Sequence, residues 1–165
     1  MQQDILMKHR NQIIMEQRTT KEKNLLLSYL CGCIHYDLAI MHKECDTRIY
    51  RLRSVDFNGR VMIQFRRKYD TGYGYGFDQM DLDVDKPFVR HMNSMTEEEK
   101  SKFDGIIVMN GDKVSCVTAT MQGFDYLNSL HLDYLGLADR GLAIVISETN
   151  NPYEIKEKEE VEDDI

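Results

Sequence analysis

The sequence predicts an α+β fold, a small antiparallel sheet or partly open barrel flanked by helices. Three observations predict it. Thr19 with Glu22, and Thr96 with Glu99, have capping-box spacing, and each opens a helix. Between them, from Tyr36 to Met92, apolar residues recur in short alternating runs instead of at helical spacing. Two Asn-Gly pairs, Asn58-Gly59 and Asn110-Gly111, interrupt such runs as two-residue hairpin signals.

In chain order, Ile5, Leu6, Ile13 and Ile14 loosely fit one face of a helix over residues 1–17, with His9 and Arg10 interrupting the stripe. Its paired aliphatic residues are a candidate homo-oligomer contact. A second helix starts near residue 20. Leu26, Leu27, Leu30, Cys33 and Ile34 form its buried face, and Gly32 weakens its end. Four or five antiparallel strands follow, carried by Leu38/Ile40, Ile49/Leu52, Val61/Ile63/Phe65, Leu82/Val84 and Phe88. A short helix is expected from Glu97 to Phe103, its three glutamates in the first turn, where the helix dipole favours acids. Ile106–Met109 and Lys113–Thr118 make a second hairpin. Phe124, Leu127, Leu130 and His131 mark a third helix. Gly136 and Gly141 bracket a turn, and Leu142–Ile146 reads as a buried final strand. The organisation is therefore an N-terminal helix over 1–18, one α+β domain over 19–150, and an acidic, solvated and disordered tail over 151–165.

A chain of 165 residues fits one domain and needs no metal or disulfide to fold. No apolar run approaches the ~20 residues that span a bilayer, so no membrane role is expected. The N-terminus carries no export-signal pattern. Cys31 and Cys33 are one residue apart on a helix and point away from each other. Reduced thiols in a cytoplasm are the expectation. The net charge of −7 resides mostly in the tail. From Glu154 to Ile165 seven acids face Lys156 and Lys158, leaving −2 for the rest. The body is close to neutral, and the acidity says little about its partner.

The chemistry-bearing clusters are weighed in turn. Cys31-x-Cys33-x-His35, with His42 and Cys45 nearby, offers zinc-type ligands, but structural zinc sites space their cysteines by two or more residues. Cysteine at the end of an apolar helix is a small hydrophobe. No metal and no cofactor is expected. A thiol or histidine hydrolase using Cys31 or His131 has no local signature behind it. Asp125, His131 and Asp133 offer acid–base groups, but a structural role is the reading. No catalytic residue is assigned, and enzymatic activity is not the expectation.

Residues 69–77, Tyr-Asp-Thr-Gly-Tyr-Gly-Tyr-Gly-Phe, stand out most. Alternating glycine and aromatic residues make a loop that approaches a partner closely and presents flat rings for stacking or anchoring. The other reading is a hairpin tip whose tyrosines fold back on the sheet. From Lys43 to Lys68 eight bases face Glu44, Asp46 and Asp56. Aromatic residues beside arginines suit single-stranded nucleic acid or nucleotide phosphate. Asp78, Asp81, Asp83 and Asp85 follow at once. As cross-strand neighbours they would neutralise Arg66 and Arg67, and this self-paired surface is the favoured reading. The same aspartates lack the full calcium-loop pattern. The candidate ligand- or partner-binding residues are Tyr73, Tyr75, Phe77, Arg66, Arg67 and Lys68.

Three stretches carry a resemblance. They are Leu25-Leu26-Leu27-Ser28-Tyr29-Leu30-Cys31; Asn93-Ser94-Met95-Thr96-Glu97-Glu98-Glu99-Lys100; and Phe124 to Leu137, continuing to Arg140-Gly141-Leu142-Ala143. Over residues 19–147 the chain resembles a group of small proteins carried by gut Bacteroidales bacteria, their phages and mobile elements. The resemblance implies a phage or mobile-element accessory protein and supplies no catalytic residues. The Gly/Tyr segment falls in the group's most variable part, where partner choice is expected to reside. The expected function is non-enzymatic binding of a host protein, such as a defence component. The alternative is a nucleotide or single-stranded nucleic-acid binder, such as a sponge for a signalling nucleotide.

Overall fold

The computed structural model describes residues 17–42 and 48–154. The helix expected over 1–17, and any oligomer contact through it, falls on residues outside this range, save Gln17, which is not helical. The elements are α1 (Thr20–Cys33), β1 (Ala39–Met41), β2 (Tyr50–Val55), β3 (Val61–Tyr69), β4 (Gly72–Gln79), β5 (Lys86–Val89), α2 (Glu97–Lys102), β6 (Gly105–Asn110), β7 (Lys113–Ala119), α3 (Met121–Ser129) and β8 (Ile144–Val145), with a 3-10 turn at Met92–Ser94. The fold is α+β. A six-stranded sheet in the order β4-β3-β2-β1-β5-β8 is antiparallel except for the β5/β8 pair, and β6 and β7 form a separate two-stranded sheet.

Both capping boxes form. The Thr19 hydroxyl accepts from the Glu22 N–H while Glu22 accepts from the Thr19 N–H, and Thr96 and Glu99 repeat the arrangement. The Asn58-Gly59 turn has three residues instead of two. Asp56 closes it by pairing its N–H with the Arg60 carbonyl, and its carboxylate accepts from the Asn58 and Arg60 N–H groups. Gly59 supplies the left-handed residue at φ 76°. In the second hairpin the two-residue loop is Gly111-Asp112, since Asn110 pairs with Lys113.

The main core lies between α1 and the inner face of the large sheet. Leu26, Tyr29, Leu30 and Cys33 meet Leu38, Ile40, Leu52, Val61 and Ile63, all fully or nearly fully enclosed. The sheet curls without closing into a barrel. Flat strands three places apart would sit about 14 Å from each other. Yet His42, after β1, has its Nε2 within 3.4 Å of Asp78 on β4. A smaller core of Met92, Met95, Leu127 and Leu132 lies under the β6–β7 hairpin. Tyr134 joins the two cores, its ring 5.8 Å from Tyr29 and 5.4 Å from Phe124.

α1, α3 and the segment that follows α3 build this joint. Gly32, which weakens α1 in isolation, is where α1 meets α3: a Cβ there would strike the buried Asn128 amide. Asn128 in turn accepts from the Tyr134 hydroxyl and lies against the Cys33 thiol. Asp133, enclosed and with its carboxyl raised by burial, accepts from the Leu137 and Ala138 N–H groups. Glu99 forms a two-pronged pair with Arg90 at 2.8 and 3.0 Å, which holds its carboxyl down at about 2.

Three further expectations change. α3 ends at Ser129, and His131 sits beyond it in a left-handed conformation, φ 55°. The final strand shrinks to Ile144–Val145, paired parallel to β5, because Leu142 and Ala143 are spent on the core before pairing begins. The packed chain also runs past 150. Pro152 is buried, and the Tyr153 hydroxyl accepts from the Ala39 N–H of β1 at 2.9 Å.

Candidate binding face on the outer side of the β3–β4 edge

The Gly/Tyr segment is a strand, not a loop. A two-residue turn at Asp70-Thr71 joins β3 to β4, and the register runs unbroken from Tyr69↔Gly72 to Met62↔Gln79. Side chains alternate between faces, so Gly72, Gly74 and Gly76 share the inner face with Phe65, Arg67 and Tyr69. Glycine is a poor strand residue, and its neighbours explain why it is used. A Cβ on Gly76 would enter the Phe65 ring, and one on Gly74 would lie 2.7 Å from the Tyr69 ring. Rings on β3 cover the glycines of β4.

The outer face carries Tyr73, Tyr75 and Phe77, exposed by 54, 65 and 61%. Beside them on β3 stand Lys68, Arg66 and Gln64, each directly opposite one of the rings. The Arg66 guanidinium carbon is 4.1 Å from the Tyr73 ring centroid, and the Lys68 Nζ is 5.8 Å from it. Cation–π contact at exposed sites contributes about 0.5–1 kcal/mol. Farther in, Arg51 and Arg53 of β2 share Asp37, with Arg53 bonding Asp37 Oδ1 at 3.0 Å and Gln64 beside it.

Among the described residues β4 is also the terminal strand of the sheet, paired on one side only. The Met80 N–H donates to the Val61 carbonyl at 2.9 Å. In an antiparallel ladder the inward-pointing residues alternate. Residues 78, 76 and 74 therefore pair with β3, and the backbone groups of Tyr75 and Phe77 point away from the sheet. The most exposed rings and the outward-facing backbone belong to the same residues.

Of the six residues singled out from sequence, the fold brings five together. Arg67 is the exception: it lies on the inner side, its guanidinium 5.2 Å from the Tyr69 ring. The self-paired surface also does not form. Arg66 and Arg67 lie opposite Tyr75 and Gly74, and among the described residues neither joins an ion pair. The aspartates turn elsewhere. Asp85 is fully enclosed against His42 at 2.6 Å and accepts from the Asp81 N–H, and Asp83 pairs with Lys23. The carbonyls of Leu82, Val84 and Asp85 accept from Arg18.

Sequence reasoning missed one participant on this face, Tyr153. Its ring stacks on His131 at 4.9 Å and lies 4.8 Å under the Arg51 guanidinium carbon, and Arg51 also donates to the Pro152 carbonyl. A lone aromatic after Asn-Pro gave no periodic signal to find it by.

The remaining chemical clusters do not assemble. His131 Nε2 is bonded to the Tyr36 carbonyl at 2.6 Å, away from Asp133. Cys33 is buried against Asn128, with its thiol pushed up to about 12 by burial, while Cys31 and Cys116 are exposed. Among the described residues no group of three His, Cys, Asp or Glu side chains is placed to hold a metal ion. Nor, among these residues, is any helix long and apolar enough to cross a membrane. No protein-family model, curated protein or solved structure matches the chain.

Proposed function

We propose that this chain is a non-enzymatic binding protein, an accessory protein of a phage or mobile element, whose contact surface is the outer face and open edge of β4. The host protein it takes would be a defence component presenting an extended segment. The observation that carries this reading is the coincidence at Tyr75 and Phe77 of exposed rings with outward backbone groups. An extended segment added to β4 gains main-chain hydrogen bonds from the edge and side-chain contacts from the rings. Burying such a ring stabilises a complex by roughly 1.5–3 kcal/mol. Arg66 favours a segment with acidic side chains.

The test is affinity capture from Bacteroidales cells with the wild-type chain and with Tyr73→Ala/Tyr75→Ala. A polypeptide retained by the first and lost by the second supports the reading. Equal recovery with both removes the β4 face as the contact surface.

A second reading, a nucleotide or single-stranded nucleic-acid binder, is favoured by one spacing. Alternate residues of a strand are about 6.7 Å apart. That leaves room for one planar base between neighbouring rings, with Arg66 beside it for phosphate. This reading expects affinity that falls steeply with salt. Native mass spectrometry of gently purified protein separates the two: a few hundred daltons of added mass absorbing near 260 nm favours the nucleotide, and a co-purifying chain favours the protein partner.

A further inference from the structure

We infer that two copies of this chain pair through β6, antiparallel about a two-fold axis at Ile107, so that two two-stranded ribbons become one four-stranded sheet. Among the described residues β6 pairs with β7 alone. Exposed edge strands are ordinarily guarded by a lysine, a proline or an inward charge, or are kept very short. β8 follows that rule with two residues, and β7 begins with Lys113. β6 does not follow it: Gly-Ile-Ile-Val-Met-Asn is six residues long, with no charge and no proline.

The backbone sets the register. The Thr120 N–H donates to the Asp104 carbonyl at 3.4 Å, in line with the Gly105↔Ala119 pairing. In an antiparallel ladder the residues that bond the neighbouring strand alternate. Asp104, Ile106 and Val108 therefore bond toward β7, and the N–H and carbonyl groups of Gly105 and Ile107 point off the ribbon. A second β6 running the opposite way satisfies the Ile107 groups when the two copies of Ile107 face each other. Ile106 of each copy then lies across from Val108 of the other in a non-hydrogen-bonded pair, where Cα atoms are only about 4.5 Å apart.

The side chains favour a second copy as the occupant. Ile106 and Val108 are both exposed on the outer face, opposite Thr118 and Cys116. The pair Ile106-x-Val108 offers two aliphatic groups when read in either direction, so each copy covers the other's. Across the joined strands the outer row reads Thr118, Ile106, Val108, Cys116, and the neighbouring row is the same in reverse. No charge stands in either row, so two identical surfaces meet without like-charge repulsion. A seam of two short strands buries less than about 1,200 Å² in total, which makes the dimer weak and concentration-dependent. β6 belongs to a different sheet from β4, and this pairing stands whether or not β4 binds a partner.

The test is the mass per particle of the full chain, read by sedimentation from about 5 μM to about 1 mM, the range of a seam this small. The wild type should move from one chain toward two. Val108→Lys supplies the missing guard at an exposed position and should weaken association by at least about tenfold. A second pair of variants reads the register and covers the case where the lysine disturbs folding. With Cys31, Cys45 and Cys116 replaced by serine, Ile106→Cys and Val108→Cys are mixed and oxidised. The mixture should give a disulfide-linked dimer, because facing Cα atoms lie within the about 4.4–6.8 Å that a disulfide spans. Either variant alone should not, since its two cysteines would be two residues out of register, at about 8 Å. A one-chain mass at the highest concentration, association unchanged by Val108→Lys, or equal linkage by one variant alone would overturn the inference.

Discussion

Two hairpins in this molecule turn an apolar face outward, and they are built from different materials. On β6–β7, Ile106 and Val108 face out at 67 and 49% exposure, opposite Thr118 and Cys116. Their neighbours Ile107, Met109, Val114 and Val117 pack on the smaller core. On β3–β4 the outward row is tyrosine and phenylalanine, facing arginine, lysine and glutamine. Aliphatic groups offer area and no direction. Rings flanked by cations offer area, stacking and charge, the combination enriched where binding energy concentrates. Exposure alone therefore does not choose between the hairpins; the chemistry of the exposed groups does.

The glycines draw the same contrast and give the largest expected effect. A Cβ on Gly105 of β6 would meet the Thr118 backbone carbonyl oxygen at 2.5 Å and the Phe103 ring, whereas on Gly76 of β4 it meets the Phe65 ring. Backbone cannot swing aside and a ring partly can. Gly105→Ala should cost about 2–3 kcal/mol and Gly76→Ala about 1 kcal/mol in chemical denaturation. The reverse order would mean that β4 is held more rigidly than β6.

Between the hairpins lies the Arg90–Glu99 pair. Arg90→Ala should lower stability by about 1 kcal/mol at neutral pH, since the pair is partly solvated. Glu99 is depressed from 4.5 to about 2, chiefly by its hydrogen bonds with Arg90. Its contribution is present above the unfolded value and is lost as pH falls from about 4.5 toward 2. The difference between wild type and Arg90→Ala should therefore shrink over that window in acid unfolding curves. A constant difference would assign the effect to Arg90's bonds with Ser94 instead.

The smallest effect on stability is the most useful one. Tyr75→Ala should change it by less than about 0.5 kcal/mol, because the ring is exposed. Tyr75→Pro removes an N–H that points off the sheet and so should also be tolerated. If a partner strand adds to β4, proline should weaken binding beyond the alanine variant. Equal loss would make the contact one of rings alone.

The turns and caps were legible in the sequence because each is local: Thr19 with Glu22, Thr96 with Glu99, and the two Asn-Gly signals act within five residues. The candidate face was only partly legible. Tyr73, Tyr75 and Phe77 were visible as a group, but their strand was not, because glycine disfavours strands and the rings that compensate sit on β3. Arg66 and Arg67 are neighbours in sequence and lie on opposite faces, which register alone decides. The aspartates looked like partners for those arginines until the curl of the sheet gave Asp85 to His42. Other contacts hold the scaffold: Gly32 against Asn128, Glu99 on Arg90, Asp133 on the turn after it.

The direct measurement sets one hairpin against the other. A partner recovered with the wild-type chain is titrated calorimetrically with Tyr75→Ala/Phe77→Ala and with Ile106→Ser/Val108→Ser. The account predicts at least about a hundredfold loss for the β4 variant, from two anchors of about 2 kcal/mol each. It predicts little change for the β6 variant, and an unchanged melting temperature in the β4 variant. Loss in the β6 variant with full binding by the β4 variant would contradict it and move the contact surface to the β6–β7 hairpin.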